Sequence, residues 1–144
     1  MLKDQSSEKV VPVWIGIPEA HAIAIELQGK PFPRPLAHDL LKNVLKTLSG
    51  KLDMVVLDSI QEGTYYATLF IKDKEGKLHE IDARPSDSIA LALRTGSPIY
   101  VAEEVFEASA VEFPALDEEH QRDEFKRFVE QGMNMADFKK FIQH

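Results

Sequence analysis

The sequence predicts an α+β fold. We expect one compact domain with a mixed or antiparallel sheet, in the order strand–helix–helix–meander–helix–strand, and a short C-terminal helical tail. Three observations lead there. Three β-rich runs, "DMVVLDSI" (53–60), "TYYATLFIKD" (64–73) and "KLHEIDAR" (77–84), follow one another with only the turn segments "QEG" and "KEG" between them. Such runs pair as an antiparallel meander. Helical patterns flank this block, the clearest being "LAHDLLKNVLKTLSG" (36–50). Finally, 144 residues suffice for one domain with a real core and no covalent staples.

The elements follow in order. "VVPVWIG" (10–16) reads as a strand ended by Gly16. Pro12 cannot donate to a ladder, so the strand should lie at an edge or begin just after the proline. Trp14 is expected in the core. "PEAHAIAIELQG" (18–29) reads as a helix, with Pro18 in the first turn, Gly29 at the C-terminal end and a stripe of Ala20, Ile23, Ala24 and Leu27. "KPFPRP" (30–35) is a connection. In the next helix Leu36, Leu40, Leu41, Val44, Leu45 and Leu48 fill one half of the wheel. The run 53–60 is continuously apolar, as in a strand buried on both faces. His79 alternates with Ile81 and Ala83 and should share their face. "DARPSDSIALALRTG" (82–96) holds a helix from 86 to 95 closed by Gly96. "SPIYVAE" (97–103) is the last strand, and a short helix follows in "EEVFEASAVE". Pro18–Gly29 and Pro85–Gly96 have equal spacing, which hints at a duplicated strand–helix unit. We divide the chain into an α+β domain, 1–112, and a tail, 113–144. The tail has an acidic linker and two amphipathic helices. In these helices Phe125, Phe128, Phe138 and Phe141 should pack on the domain or a neighbour.

Composition narrows the function classes. There is no cysteine, which removes disulfides, thiolate metal sites and cysteine nucleophiles. The polar start "MLKDQSSEKV" has no signal-peptide core, and no apolar run is long enough to span a bilayer. A soluble cytoplasmic protein is the expectation. The net charge of −7, part of it in "EFPALDEEHQRDEF", argues against tight coating of nucleic acid but leaves room for a local phosphate site. No Gly-rich phosphate loop or G-x-S-x-G elbow is present, so no nucleotide or organic cofactor is expected.

Three helix starts carry more polar chemistry than capping needs. They hold Glu19 and His21, then Arg34, His38 and Asp39, then Asp82, Arg84, Ser86 and Asp87. Unpaired N–H groups, the positive end of the helix dipole and a planar guanidinium together suit a phosphate. Arg34, Arg84 and Ser86 are therefore the phosphate-binding candidates. The plainer reading pairs Arg84 with Asp82 or Asp87, and Arg34 with Asp39, as anchors between helix and sheet. Carboxylates and histidines can also hold a hard divalent ion or act as general base. Asp82, Asp87, His38 and Asp39 are the catalytic candidates, and Asp82, Asp87, Glu19 and His21 the metal candidates. None has a diagnostic ligand spacing, and His38, bordering an apolar face, also fits a half-buried structural histidine.

Read together, "VPVWIG", "EAHAIAIEL", "FPRPLAHDLL" and "IDARPSDSIALALRTGSPIYV" resemble bacterial members of the bifunctional nuclease domain family, from about Val11 to Val105. The resemblance implies a compact α+β domain and a homodimer or larger homo-oligomer. It also implies a nuclease acting on DNA or RNA phosphodiesters. The carboxylates would suit Mg²⁺ or Mn²⁺ as an assisting metal, and the acidic net charge leads us to expect only weak nucleic-acid binding. It supplies no catalytic set. Relatives have strand-forming sequence before the "PVWIG" strand. Here only "MLKDQSSEKV" precedes it, so a strand pair is expected to be missing. The competing reading is a non-enzymatic oligomeric interaction domain.

Overall fold

The computed structural model describes residues 1–30 and 32–112. In chain order, strands β1 (Leu2–Lys3) and β2 (Lys9–Val11) lead to helices α1 (Ile17–Leu27) and α2 (Ala37–Thr47). Strands β3 (Lys51–Gln61), β4 (Thr64–Lys72) and β5 (Leu78–Ala83) follow, then α3 (Pro85–Thr95), β6 (Ile99–Val101), α4 (Glu103–Ser109) and β7 (Val111–Glu112). These elements make an α+β protein with a three-stranded and a four-stranded sheet. They divide into two compact units, residues 14–106 and residues 1–13 with 107–112. The four phenylalanines of the expected tail helices lie outside the described residues.

In the smaller unit the sheet order is β1-β2-β7, antiparallel throughout. The polar start, expected to lack strands, supplies two. Its turn is built by Asp4, whose carboxylate accepts hydrogen bonds from the Ser6 and Ser7 hydroxyls and the Ser6 amide. Strand β2 ends at Val11 instead of running to Gly16, and it is the central strand, not an edge. Pro12 sits where the ladder stops, because a residue without an N–H cannot continue it. Trp14, expected in the core, is 44% exposed.

The larger unit is built on the expected meander. Its sheet order is β5-β4-β3-β6, with β6 parallel to β3 and the other pairs antiparallel. The β3–β4 hairpin closes through Glu62 and Gly63, both at positive φ (49° and 79°), the two-residue turn whose twist matches paired strands. Strand β3 is buried on one face only: Leu52, Val55 and Leu57 are buried, while Met54 and Val56 on the other face are half-buried. The expectation of burial on both faces fails because α3 packs on one side of this sheet. His79, Ile81 and Ala83 do share a face, opposite Ile71, Leu69 and Ala67 respectively.

Helix α3 is the centre of the unit. Between Ser88 and Arg94 the run "IALAL" has no polar position, and a segment apolar all round is stable only when enclosed. Ile89, Ala90, Leu91 and Ala92 are accordingly buried, and α1 and α2 both pack on α3. Burying each Ile or Leu contributes roughly 1.5–3 kcal/mol. Gly96, at φ 65°, closes the helix in the left-handed conformation that a side chain disfavours. The remaining helices depart from expectation. The α1 stripe is shallow, with Ala20 and Leu27 exposed. Helix α2 is inverted. His38 is its one buried residue, and Leu40, Leu41, Val44 and Leu48 are 45–71% exposed.

Candidate functional site

The inversion of α2 follows from what its first turn holds. Leu36 precedes the helix and has no side-chain acceptor, so only half of a capping box forms: the Leu36 amide donates to Asp39 Oδ2 at 2.8 Å. Pro85 occupies the first position of α3 with Arg84 as its N-cap, and Pro18 lies in the first turn of α1. All three helices carry a carboxylate in the first turn, Glu19, Asp39 and Asp87, which complements the helix dipole.

Four side chains from these helix starts form a continuous network. Arg84 Nη1 donates to Glu19 Oε1 at 3.3 Å, and Arg84 Nε donates to Asp87 Oδ2 at 2.9 Å. His38 Nε2 lies 3.0 Å from the other Asp87 oxygen. The beginnings of α2 and α3 therefore meet, as the repeated Arg-Pro pattern suggests, but through His38 and Asp87 rather than through two arginines. Burial alone would push the Asp87 carboxyl up. The hydrogen bonds from Arg84 and His38, with their charges, outweigh it and hold the group below the usual carboxylate range. An ionised Asp87 accepts from Nε2–H, so a neutral His38 keeps its lone pair on Nδ1. Among the described residues, Tyr65 Oη is the single buried side-chain polar atom without a partner. The His38 side chain is largely buried, at 11% exposure, and its Nδ1 makes no hydrogen bond among the described residues. Arg84 is 66% exposed, and its Nη2 makes no hydrogen bond among the described residues. With His38 neutral, two carboxylates against one guanidinium leave the cluster negative. Protonating His38 balances it.

A second cluster, missed in the sequence, anchors the same helices. The Arg94 side chain is 2% exposed and donates from Nε to Asp39 at 2.8 Å, from Nη1 to the Ala90 carbonyl at 2.9 Å and from Nη2 to the Ala22 carbonyl at 3.0 Å. It thus ties α3 to α2 and α1. Burial raises the Asp39 pKa, but the Leu36 amide, Arg94 and Lys42 together bring it below the ordinary value. The available signal was a lone arginine in the last turn of an otherwise apolar, enclosed helix, which must find a carboxylate.

Because Asp39 and Asp87 are both depressed in the folded chain, their stabilisation is present above the unfolded carboxylate pKa of about 3.9 and is lost as pH falls toward the folded values. Melting temperature should hold between neutral pH and about pH 5 and then fall. Asp39→Asn, already lacking the ionised form, should show a shallower acid decline in thermal melts.

The other candidates do not join the network. Asp39 pairs with Arg94, not Arg34, and Arg34 is exposed with no ion pair among the described residues. Asp82 lies opposite Thr68, on the sheet face away from α3, where Thr68 bonds Asp58. Ser86 is buried at 6% exposure and His21 is exposed. Glu19 and Asp87 share Arg84, and Asp82 and His21 stand apart. Among the described residues no three His, Asp or Glu side chains gather as a metal would require. The expected donor set does not fit a protein-held ion.

The fold and the network define a small α+β domain that carries a histidine–carboxylate pair and an open guanidinium at the junction of three helix starts. The family model of the bifunctional nuclease domain matches residues 1–114, and the chain belongs to that family. It is also similar to two proteins of Mycobacterium tuberculosis, "Uncharacterized protein MT1877" and "Uncharacterized protein Rv1829". Each is 40% identical over 146 residues, covering 96% of this chain and 87% of the relative. Among the described residues no helix is long and apolar enough to cross a membrane.

Proposed function

We propose that the protein is a nuclease that hydrolyses DNA or RNA phosphodiesters at the Arg84–Asp87–His38 network. The observation that carries this reading is the Asp87–His38 contact at 3.0 Å, which leaves the second ring nitrogen without a hydrogen bond among the described residues. Asp87 orients the imidazole, and Nδ1 takes the proton from the attacking water as its oxygen bonds to phosphorus. The bond from phosphorus to the leaving oxygen breaks, that oxygen takes a proton from solvent, and the outer edge of Arg84 offsets the charge on the phosphoryl oxygens. The test is cleavage of single- and double-stranded DNA and RNA by purified protein, with Mg²⁺, Mn²⁺ or chelator as a variable. Dependence on either ion would add a cofactor that the described side chains do not assemble to hold. Absence of cleavage under every condition would end the reading.

Arg84 supplies a separate check. Its exposure means that Arg84→Gln should melt near the wild-type temperature. The same change should weaken binding of nucleic acid and flatten its salt dependence, by a log–log slope of about 0.7 for a single strand or about 1 for a duplex. Titrations should begin at low salt, because the chain carries a net charge of −7. A destabilised variant with unchanged salt dependence would make Arg84 a structural clamp.

A second reading, an oligomeric interaction domain in the cytoplasm, is favoured by α2. Its exposed Leu40, Leu41, Val44 and Leu48 make one apolar stripe, and such stripes mark interaction surfaces. A homodimer that packs this stripe against its own copy would bury it. Light scattering should then show a dimer for the native chain and a monomer for Val44→Asp. Identical masses would place the interface elsewhere.

A further inference from the structure

We infer that a cleft beside α2 binds a nucleobase, and that the substrate of the proposed nuclease is therefore single-stranded nucleic acid. The cleft is about 370 Å³ and is formed by α1, the connection after it, α2 and Arg94. Small-ligand sites occupy about 300–1,000 Å³. The inference rests on the nuclease reading only in placing the scissile bond near His38.

The lining has the chemistry of a base site. Phe32, 56% exposed, stands with Pro33 and Pro35 at one wall. An aromatic ring left in water is a stacking platform, and base stacking on such rings is insensitive to sequence. Asn43 also lines the cleft, and its side-chain amide makes no hydrogen bond among the described residues. An amide presents a donor and an acceptor together, which matches the edge of a base. The charges in the lining cancel: Lys30 and Arg94 face Glu26 and Asp39. A neutral, aromatic, hydrogen-bonding cleft suits an uncharged base better than a phosphate.

Rigidity and position agree with this assignment. Arg94 is held by three hydrogen bonds, so the cleft floor is formed before anything binds. Asp39 lines the cleft, and the adjacent His38 carries the proposed chemistry. Glu26 in the cleft and Glu19 in the ion network lie seven residues apart on α1, roughly 10 Å by helix rise. One short strand can reach both. The acidic chain gains little from counterion release, so its hold on a strand must come from bases. A duplex keeps those bases stacked inside, and a single strand offers them.

The test is fluorescence anisotropy at low salt with the full chain carrying His38→Gln, so that the probe survives. The probes are short fluorescein-labelled single strands of RNA, of DNA, and of a sugar–phosphate strand of equal length without bases. Both base-bearing strands should bind more tightly than the abasic strand. Phe32→Ala should weaken the base-bearing strands by about 5- to 100-fold and leave the abasic strand unchanged. Phe32 is largely in solvent, so a matching melting temperature confirms that the variant folds. Equal binding of the abasic strand, an unchanged Phe32→Ala variant, or no binding at all overturns the cleft. Cleavage by the native chain without base-dependent binding overturns the cleft and keeps the nuclease. Base-dependent binding without cleavage does the reverse.

Discussion

Arg94→Ala should cost about 3–5 kcal/mol of folding stability, the largest single-residue loss in the larger unit. The guanidinium is almost fully enclosed and satisfies Asp39, the Ala90 carbonyl and the Ala22 carbonyl at once. Its removal leaves a carboxylate without its cation and two carbonyls short of a donor, and it opens a void between three helices. Domains are stable by about 5–15 kcal/mol, so this loss is a large share of the whole. Arg94→Lys keeps the charge but not the three-way fork and should fall between the two. Urea denaturation would measure both variants. A loss below about 1 kcal/mol in Arg94→Ala would mean that the bridge is replaceable.

His38→Gln should lower the rate of phosphodiester cleavage by about 10²–10⁴-fold, the range a positioned general base contributes. Glutamine can still donate to Asp87 from a similar position but cannot take a proton, so the helix contact survives while the chemistry stops. His38→Ala should lose the rate and also about 1.5–3 kcal/mol of stability, because Asp87 then loses a charge-assisted hydrogen bond. Single-turnover kinetics and melts on the two variants separate the roles. Full activity in His38→Gln would reduce the histidine to a structural link between α2 and α3.

Local patterns made the fold legible where each element decides its own structure. The meander was readable from β-rich runs and two tight turns. Helix α3 was readable from Pro85, an apolar run and Gly96. The first strands were not, because β1 and β2 hold two and three residues and are set by pairing with β7 and by the Asp4 turn. The leucines of α2 pointed to a buried face, yet His38 and Asp39, bound to Asp87 and Arg94, turn that face outward. Of the site, His38, Asp87, Arg84 and Glu19 carried a readable signal in their helix-start positions. Which carboxylate each base would choose depends on tertiary approach, and so Asp82 and Arg34 stand outside the network while Arg94 enters the second cluster. Polarity marks where charges sit along a chain. It does not mark which of them face one another across 49 or 55 residues of sequence.

The most direct test of the central claim follows nuclease activity through the last column of a stringent purification, with wild type and His38→Gln prepared in parallel. Labelled single-stranded RNA and DNA would be incubated with each fraction. The histidine–carboxylate network as a cleavage centre predicts activity that rises and falls with the wild-type protein peak and is missing from the variant peak, although both proteins melt alike. Activity displaced from the protein peak, or equal in the two preparations, would contradict it.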